Sequence, residues 1–335
     1  VAVRAIVERA LALRRWAMRH ALEIEDWSRA VELGERIVID AERILGPAHP
    51  DTLTSRNSLA YAYESAGRID EAITLFEANV ADHSNTLGRD HPRTFTVRSN
   101  LAYTYQSAGR FDAAIDLFES VIADRTRTLG ADHPSTLRSR NNLAGAYLKA
   151  GRTAEAAALL AEVVADRTRV LGATHQSTLR SRNNLAGALR ELGRFDDALE
   201  LITSVVDDTE RQQGADHPDV FTARSNLAAV HRAAGRDAAA VPCFESVLAD
   251  RTRVLGADHP DTLATRLNLA EAICSADGVD KAIELLTALL ADCVRVLGTH
   301  HPDTADVRES LAAAAALAAA TRGGEDTERP TQSSG

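Results

Sequence analysis

The dipeptide His-Pro recurs at His49, His91, His133, His217, His259 and His301, and His175-Gln176 fills the gap, every step being 42 residues. A strict period of that length marks a stack of equivalent supersecondary units, not one core built from dissimilar segments. Two glycine series keep the same period. One runs Gly46, Gly88, Gly130, Gly172, Gly214, Gly256 and Gly298, in nearly every case after leucine. The other runs Gly67, Gly109, Gly151, Gly193 and Gly235, then slips to Asp277-Gly278. Two punctuation marks per period leave room for two helices.

The second full unit shows how. Pro92 suits a first helical position, where its missing N–H is not needed. Phe95, Leu101, Ala102 and Tyr105 then follow at helical spacing as helix A. Ala108-Gly109-Arg110 turns the chain, and Phe111, Ala114, Ile115, Leu117, Phe118, Val121 and Ile122 give helix B its apolar stripe. One such pair cannot bury both its faces, so neighbours must stack. The register predicts a degenerate opening pair at 1–45, six units over 46–297 and a closing helix at 298–321. Residues 322–335 are polar, with Gly, Pro and Ser, and read as a disordered tail.

Composition agrees with an all-α chain: 45% apolar but only 4% aromatic, with Ala and Leu dominant. The net charge of −10, with no basic block, argues against nucleic acid as a partner. The longest apolar run, Leu311 to Ala320, is too short to span a bilayer, so no membrane is expected. Cys243, Cys274 and Cys293 form no CxxC and fit a reducing, cytoplasmic setting. The chain starts inside a helical pattern, which reads as a piece of a longer protein.

The pattern Leu101-Ala102-x-x-Tyr105, Gly109, Ala114, Phe118 resembles the tetratricopeptide signature. The period and the DHPxTLxxRxNLAxAYxxAGR phrase are similar to the kinesin-light-chain-like subclass found in bacterial signalling proteins, and Pro242 matches a proline of its helix B. The resemblance implies an all-α, right-handed superhelical solenoid of antiparallel helix pairs. It also implies a non-catalytic scaffold that takes a protein or peptide on its helix A surface. In such proteins the array often follows a nucleotide-binding switch or effector domain, so covalent attachment to an upstream domain is expected.

Two charge series depart from the signature. Arg56, Arg98, Arg140, Arg182, Arg224, Arg266 and Arg308, with Arg14 in register, occupy the first apolar position of helix A. Asp40, Asp82, Asp124, Asp166, Asp208, Asp250 and Asp292 lie late in helix B. Measured from the turn between them, Asp40 and Arg56 stand at one height, which predicts salt bridges between neighbouring pairs that set their register. Arg127, Arg169, Arg211, Arg253 and Arg295 follow three residues after an acid and can pair within helix B. The alternative is that the helix A arginines face a ligand.

The ligand-facing positions are expected one residue after each Arg and four further on. They give Asn57 with Tyr61, Ser99 with Tyr103, Asn141 with Gly145, Asn183 with Gly187, Ser225 with Ala229 and Leu267 with Glu271. Arg138, Lys149, Arg180, Arg190 and Arg232 surround the small residues with positive charge, with Glu191 as a counterexample. In the resembled family, helix A asparagines hold the partner's backbone and basic residues read acidic side chains. An acidic peptide with a bulky apolar anchor is the expected guest. The second series, Asn100, Asn142, Asn184, Asn226 and Asn268, is expected to bond the backbone of the adjacent helix.

No cofactor or metal is expected. Successive His-Pro copies lie about 20 Å apart along the stack, too far to share an ion, and His300-His301 has no third ligand near it. No Walker loop, GxSxG elbow or HExxH motif occurs. The competing reading is a self-assembling structural or oligomerisation module.

Overall fold

The computed structural model describes residues 2–23, 26–276, 278–299 and 301–327. The described elements are α1 (Ala2–Glu23), α2 (Trp27–Leu45), α3 (Pro50–Ser65), α4 (Ile69–Leu87), α5 (Pro92–Ser107), α6 (Phe111–Leu129), α7 (Pro134–Lys149) and α8 (Thr153–Leu171), followed by α9 (Gln176–Glu191), α10 (Phe195–Gln213), α11 (Pro218–Ala233), α12 (Asp237–Leu255), α13 (Pro260–Ser275), α14 (Val279–Val296) and α15 (Pro302–Thr327). No strand occurs among the described residues.

Two compact units divide the chain, Val1–Val170 and Leu171–Gly335. In the first, consecutive helices pack on one another from α1 through α7, and alternate helices touch as α1 on α3 and α5 on α7. In the second the same pattern runs from α9 through α15. The predicted opening pair is α1 and α2, and the closing helix is α15. That helix continues to Thr327, into the segment whose composition pointed to disorder. Residues 328–335, Asp277 and His300 lie outside the described residues.

Helix A begins where it does because of the histidine as much as the proline. His91 Nδ1 accepts a hydrogen bond from the Arg93 backbone N–H at 3.2 Å, satisfying one of the orphan donors of the first turn. The same bond forms at His49, His133, His175, His217, His259 and His301. At His175 the following residue is Gln176, yet the helix starts in the same place. The cap, not the missing N–H of proline, is the invariant part.

Before each cap the chain leaves helix B through a glycine. Gly88 has φ +92°, a conformation costly for any other residue, and its carbonyl accepts from Thr94 Oγ1 at 2.8 Å. The same bond forms at Thr52, Thr136 and Thr304 and accounts for the buried Thr there.

Inside each pair one large side chain of helix B fills the centre. Phe76, Phe118, Leu160, Ile202, Phe244 and Leu286 are all at most 1% exposed. Helix A answers with alanine at Ala60, Ala102, Ala144, Ala186, Ala228 and Ala270, which lets the helices close on the ring. The opening pair reverses the sizes. Gly34 takes the helix B position, and Met18 fills the space from helix A, its methyl 3.3 Å from where a Gly34 Cβ would stand.

The Arg and Asp series pair, but not across the expected boundary. Arg98 Nη1 meets Asp124 Oδ2 at 2.7 Å, 26 residues later, inside one helix pair. Arg14–Asp40, Arg140–Asp166, Arg182–Asp208, Arg224–Asp250 and Arg266–Asp292 repeat the contact at 2.6 to 2.9 Å, and Arg56–Asp82 does so as well. Height alone misled. Side chains lean toward the N-terminus of their own helix, so Asp40 and Arg56 lean apart while Arg56 and Asp82 lean together. Arg56 does reach the preceding helix, through Glu42, with Nε 2.9 Å from Oε1. The intrahelical pairs form as expected, for example Arg211 to Asp208 at 2.7 Å.

Register between neighbouring pairs is carried by other groups. Tyr63, Tyr105 and Tyr147 donate their hydroxyls to Glu35, Glu77 and Glu119 of the preceding helix B, at 2.7 to 3.0 Å. Burial first, and then the Glu77 carboxylate, push the Tyr105 phenol up to about 12. Arg125, only 4% exposed, donates to the Ser135 carbonyl at 3.1 Å and to Ser139 Oγ on the next helix A. Arg251 makes the same reach to Asp261 O and Thr265 Oγ1 in the second unit. Among the described residues no carboxylate forms an ion pair with either guanidinium. Burial pushes the Arg125 group down to about 10.

Candidate functional site

The helix A residues left between these contacts form the candidate surface. In the first unit it consists of Asn57 and Tyr61 on α3, Ser99 and Tyr103 on α5, and Arg138, Asn141 and Lys149 on α7. In the second it consists of Arg180, Asn183 and Arg190 on α9.

Tyr61 is 54% exposed and Tyr103 40%. The Tyr103 ring stands edge-on to buried Phe118, with centroids 5.3 Å apart, so its orientation is fixed by the core beneath it. Burial pushes its phenol up, while the nearby Arg138 charge pulls the other way. Ser99 lies under this surface: it is buried, and its hydroxyl donates to the Phe95 carbonyl at 2.9 Å.

Asparagine bonds asparagine across neighbouring A helices. Asn100 Nδ2 donates to Asn57 Oδ1 at 3.0 Å in the first unit, and Asn226 Nδ2 donates to Asn183 Oδ1 at 2.9 Å in the second. At Asn100 and Asn226 the second asparagine series therefore reaches a side chain where a backbone group was expected. The side chain is short enough to meet an identical amide at the closest approach of two A helices, while the helical backbone there is already hydrogen-bonded. Among the described residues no acceptor takes the side-chain N–H groups of Asn57 or Asn183.

The two units differ in how their positive charge is answered. Arg180 lies 3.8 Å from Asp219, Arg190 3.8 Å from Glu191 and Arg232 2.8 Å from Glu271. In the first unit no described carboxylate pairs with Arg138 or Lys149, both exposed. A third cation with no described carboxylate against it, the Arg19 guanidinium, was missed by the sequence reading. Together with Leu22, Asn57, Ser58 and Tyr61 it lines a pocket of about 370 Å³ between α1 and α3. Arg19 falls in the register of Tyr61, but the opening pair departs too far from the repeat for that register to stand out. A smaller pocket of about 250 Å³ in the second unit is lined by Arg232, Glu271, Cys274, Ser310 and Leu317 among others. At Gly145 and at Gly187 an added Cβ would meet nothing within 4 Å, so both positions open as expected.

Among the described residues no group of three His, Cys, Asp or Glu is placed to hold a metal ion. No described helix is long and apolar enough to cross a membrane.

A sequence model of the tetratricopeptide repeat matches residues 8–81, 59–127, 93–169, 149–211, 177–252 and 219–278, and a second such model matches 262–303. The chain belongs to the tetratricopeptide repeat family. Its repeats are of the kinesin-light-chain-like kind. A putative kinesin light chain of Podosopora anserina with nearly identical tetratricopeptide-like repeats is 34% identical, covering 61% of this chain and 97% of its own, with TM-score 0.53. BtubC from P. vanneervenii is 21% identical over 73% of this chain and 94% of its own, TM-score 0.54. A signal transduction ATPase with a tetratricopeptide repeat sensor, from Pyrococcus horikoshii, is 10% identical. It covers 88% of this chain and 43% of its own, with TM-score 0.55, and these last two share the fold alone. No curated protein sequence matches. The tetratricopeptide assignment accounts for the helix pairs and the two turns. It leaves the chemistry of the helix A surface to the residues themselves.

Proposed function

We propose that this tetratricopeptide array is a non-catalytic, cytoplasmic protein-interaction scaffold, the sensor or recruiting part of a larger signalling protein. Its guest is a peptide or protein segment that is acidic and carries one bulky apolar side chain. The observation that carries this reading is the pocket between α1 and α3. There a guanidinium with no described carboxylate against it (Arg19), an amide whose N–H groups meet no described acceptor (Asn57) and an exposed ring (Tyr61) converge beside Leu22. Such a mixture is apolar enough to gain from burial and polar enough to orient a backbone. Tyr103 and Arg138 extend the same chemistry along the first unit. The lowered carboxyls, such as Asp166 beside Arg140 and Asp292 beside Arg266, are held charged by arginines, which suits a scaffold and not acid–base work. The sensor role is taken from the Pyrococcus horikoshii protein, in which a tetratricopeptide repeat is the sensor of an ATPase.

Selection of random peptides on the immobilised protein tests the proposal. Enriched sequences should place Asp or Glu beside Trp, Phe or Leu. A selected peptide should bind at least about tenfold more weakly to Tyr61→Ala and to Arg138→Glu, the loss expected for one anchor or one paired charge. Arg180→Glu should matter less, since Asp219 already answers that residue. Basic or featureless selected peptides, or binding indifferent to both first-unit variants, would reject the reading.

A further inference from the structure

Within each unit, every helix A after the first hides one flank against the helix pair that precedes it, and three register positions form that flank. The first holds Ser55, Val97, Ser139, Ala223, Thr265 and Val307, all at most 3% exposed. The second holds Ser58, Asn100 and Asn226, two of which bond the preceding helix A. The third holds Ala62, Thr104, Ala146, Val230, Ala272 and Ala314, again at most 3% exposed. On α1 the same positions are Leu13, Trp16 and His20. Leu13 is 67% exposed and Trp16 58%, with the Trp16 ring stacked on His20 at 5.7 Å.

Exposure alone would not make this face a docking site, since Ile39 and Ile44 are also exposed. Their register positions, however, are exposed in later repeats too, at Ala81 and Ala123 for the first and Thr86 for the second. The other end of the array supplies the control. On α15 no described helix covers the face that holds Leu53, Phe95, Leu137 and Phe221 in earlier repeats. There the chain carries the small, exposed Ala305 in the column of those residues. That uncovered position is trimmed to alanine. On α1 the reverse has happened: serine, asparagine and alanine have become leucine, tryptophan and histidine.

We infer that the Leu13–Trp16–His20 face of α1 docks an amphipathic helix laid antiparallel to it, as a helix B lies on each later helix A. The internal interfaces specify that helix. Where the covered position is a hydroxyl, the covering residue 14 positions earlier is arginine, as in Arg125 on Ser139 and Arg251 on Thr265. Ser55 departs from this, with Ala41 at the covering position, and takes its guanidinium from Arg15 of α1. Where the covered position is apolar, as at Val97, Ala223 and Val307, the covering residue is His83, Thr209 or Cys293. Leu13 therefore calls for an uncharged residue there. Arg9 and Arg19 flank the face, and no described carboxylate pairs with either, so the guest helix is acidic at its edges.

Two peptides from the chain serve as probes. Residues 279–296, the α14 sequence, bring Cys293 to the covering position; residues 111–129, the α6 sequence, bring Arg125. In a Trp27→Phe protein, Trp16 is the sole tryptophan and should shift to the blue when covered. The first peptide is expected to produce that shift and the second to bind at least about tenfold more weakly, the cost of a buried unpaired charge. Leu13→Asp should abolish the shift, with unchanged helical circular dichroism, while Tyr61→Ala leaves it intact and so separates this face from the pocket. No shift with either peptide, or a shift indifferent to Leu13→Asp, would overturn the inference. So would sedimentation showing self-association that Leu13→Asp abolishes, since a second copy would then be the cover.

Discussion

The opening pair, α1 with α2, and the third pair, α5 with α6, share a helix B of 19 residues but have opposite cores. In the third pair Phe118 projects from helix B against Ala102. In the opening pair Met18 projects from helix A against Gly34. The volume between two helices is thus conserved while the residue that supplies it changes sides. The pairs differ again in their ion pair: Arg98 is 5% exposed beside Asp124, whereas Arg14 is 36% exposed beside Asp40. The repeat constrains space and geometry, and it tolerates wide variation in which side chain meets the constraint.

The largest effect should come from Phe118→Ala, which leaves a ring-sized cavity and should cost about 3–5 kcal/mol in urea unfolding. Gly34→Phe imposes the third pair's residue on the opening pair. Its Cβ alone would stand 2.8 Å from Leu59 Cδ1, so the variant should lose about 2–3 kcal/mol by overpacking. Adding Met18→Ala should restore most of that loss. A double variant no better than Gly34→Phe alone would break the size-exchange argument.

Asp124→Asn should cost about 2 kcal/mol, since it strips the counter-charge from a buried guanidinium. Asp40→Asn should cost less, because Arg14 can turn to water. Acid sharpens the same contrast. Burial raises the Asp124 carboxyl, but hydrogen bonds from Arg89 and Arg98 outweigh it and hold the group below its ordinary 3.8. Asp40 is held low chiefly by its bond from Arg14. Both groups therefore add stability that is fully present above about pH 4 and is lost as the pH falls through their lower folded values. Urea midpoints at pH 7 and pH 3 should fall less in Asp124→Asn than in the parent. The smallest change in stability, within about 0.5 kcal/mol, is expected for Tyr61→Ala, whose ring is half in water. Its effect should appear in guest binding.

The helix pairs, both turns and the capping glycines were legible in the sequence, because a fixed period turns each constraint into a repeated letter. Three things were not. The Arg–Asp partners were assigned by height, and the lean of the side chains reversed them. The histidine of His-Pro was hidden behind the better-known preference of proline for a first helical position. Arg125 left no trace in its own column, which runs Ala41, His83, Arg125, Arg167, Thr209, Arg251 and Cys293. Its signal lies in a correlation with the residue 14 positions on, visible only when two columns are compared. On the candidate surface, Asn57, Tyr61, Tyr103 and Arg138 were found by register. Arg19 and Leu22 belong to a pair that keeps the register but shares too few letters with the repeat for its positions to stand out.

That correlation bears on how such a chain avoids tangling with itself. Near-identical repeats invite a slipped product, in which one pair is looped out and its neighbours close over the gap. If α4 docked on α7, His83 would face Ser139, and Arg125 of the excluded pair would have no mate for its guanidinium. Arg with Ser occurs twice running in those two columns, but elsewhere lock and key change from one junction to the next, so most slipped orders of these look-alike segments leave a key unturned.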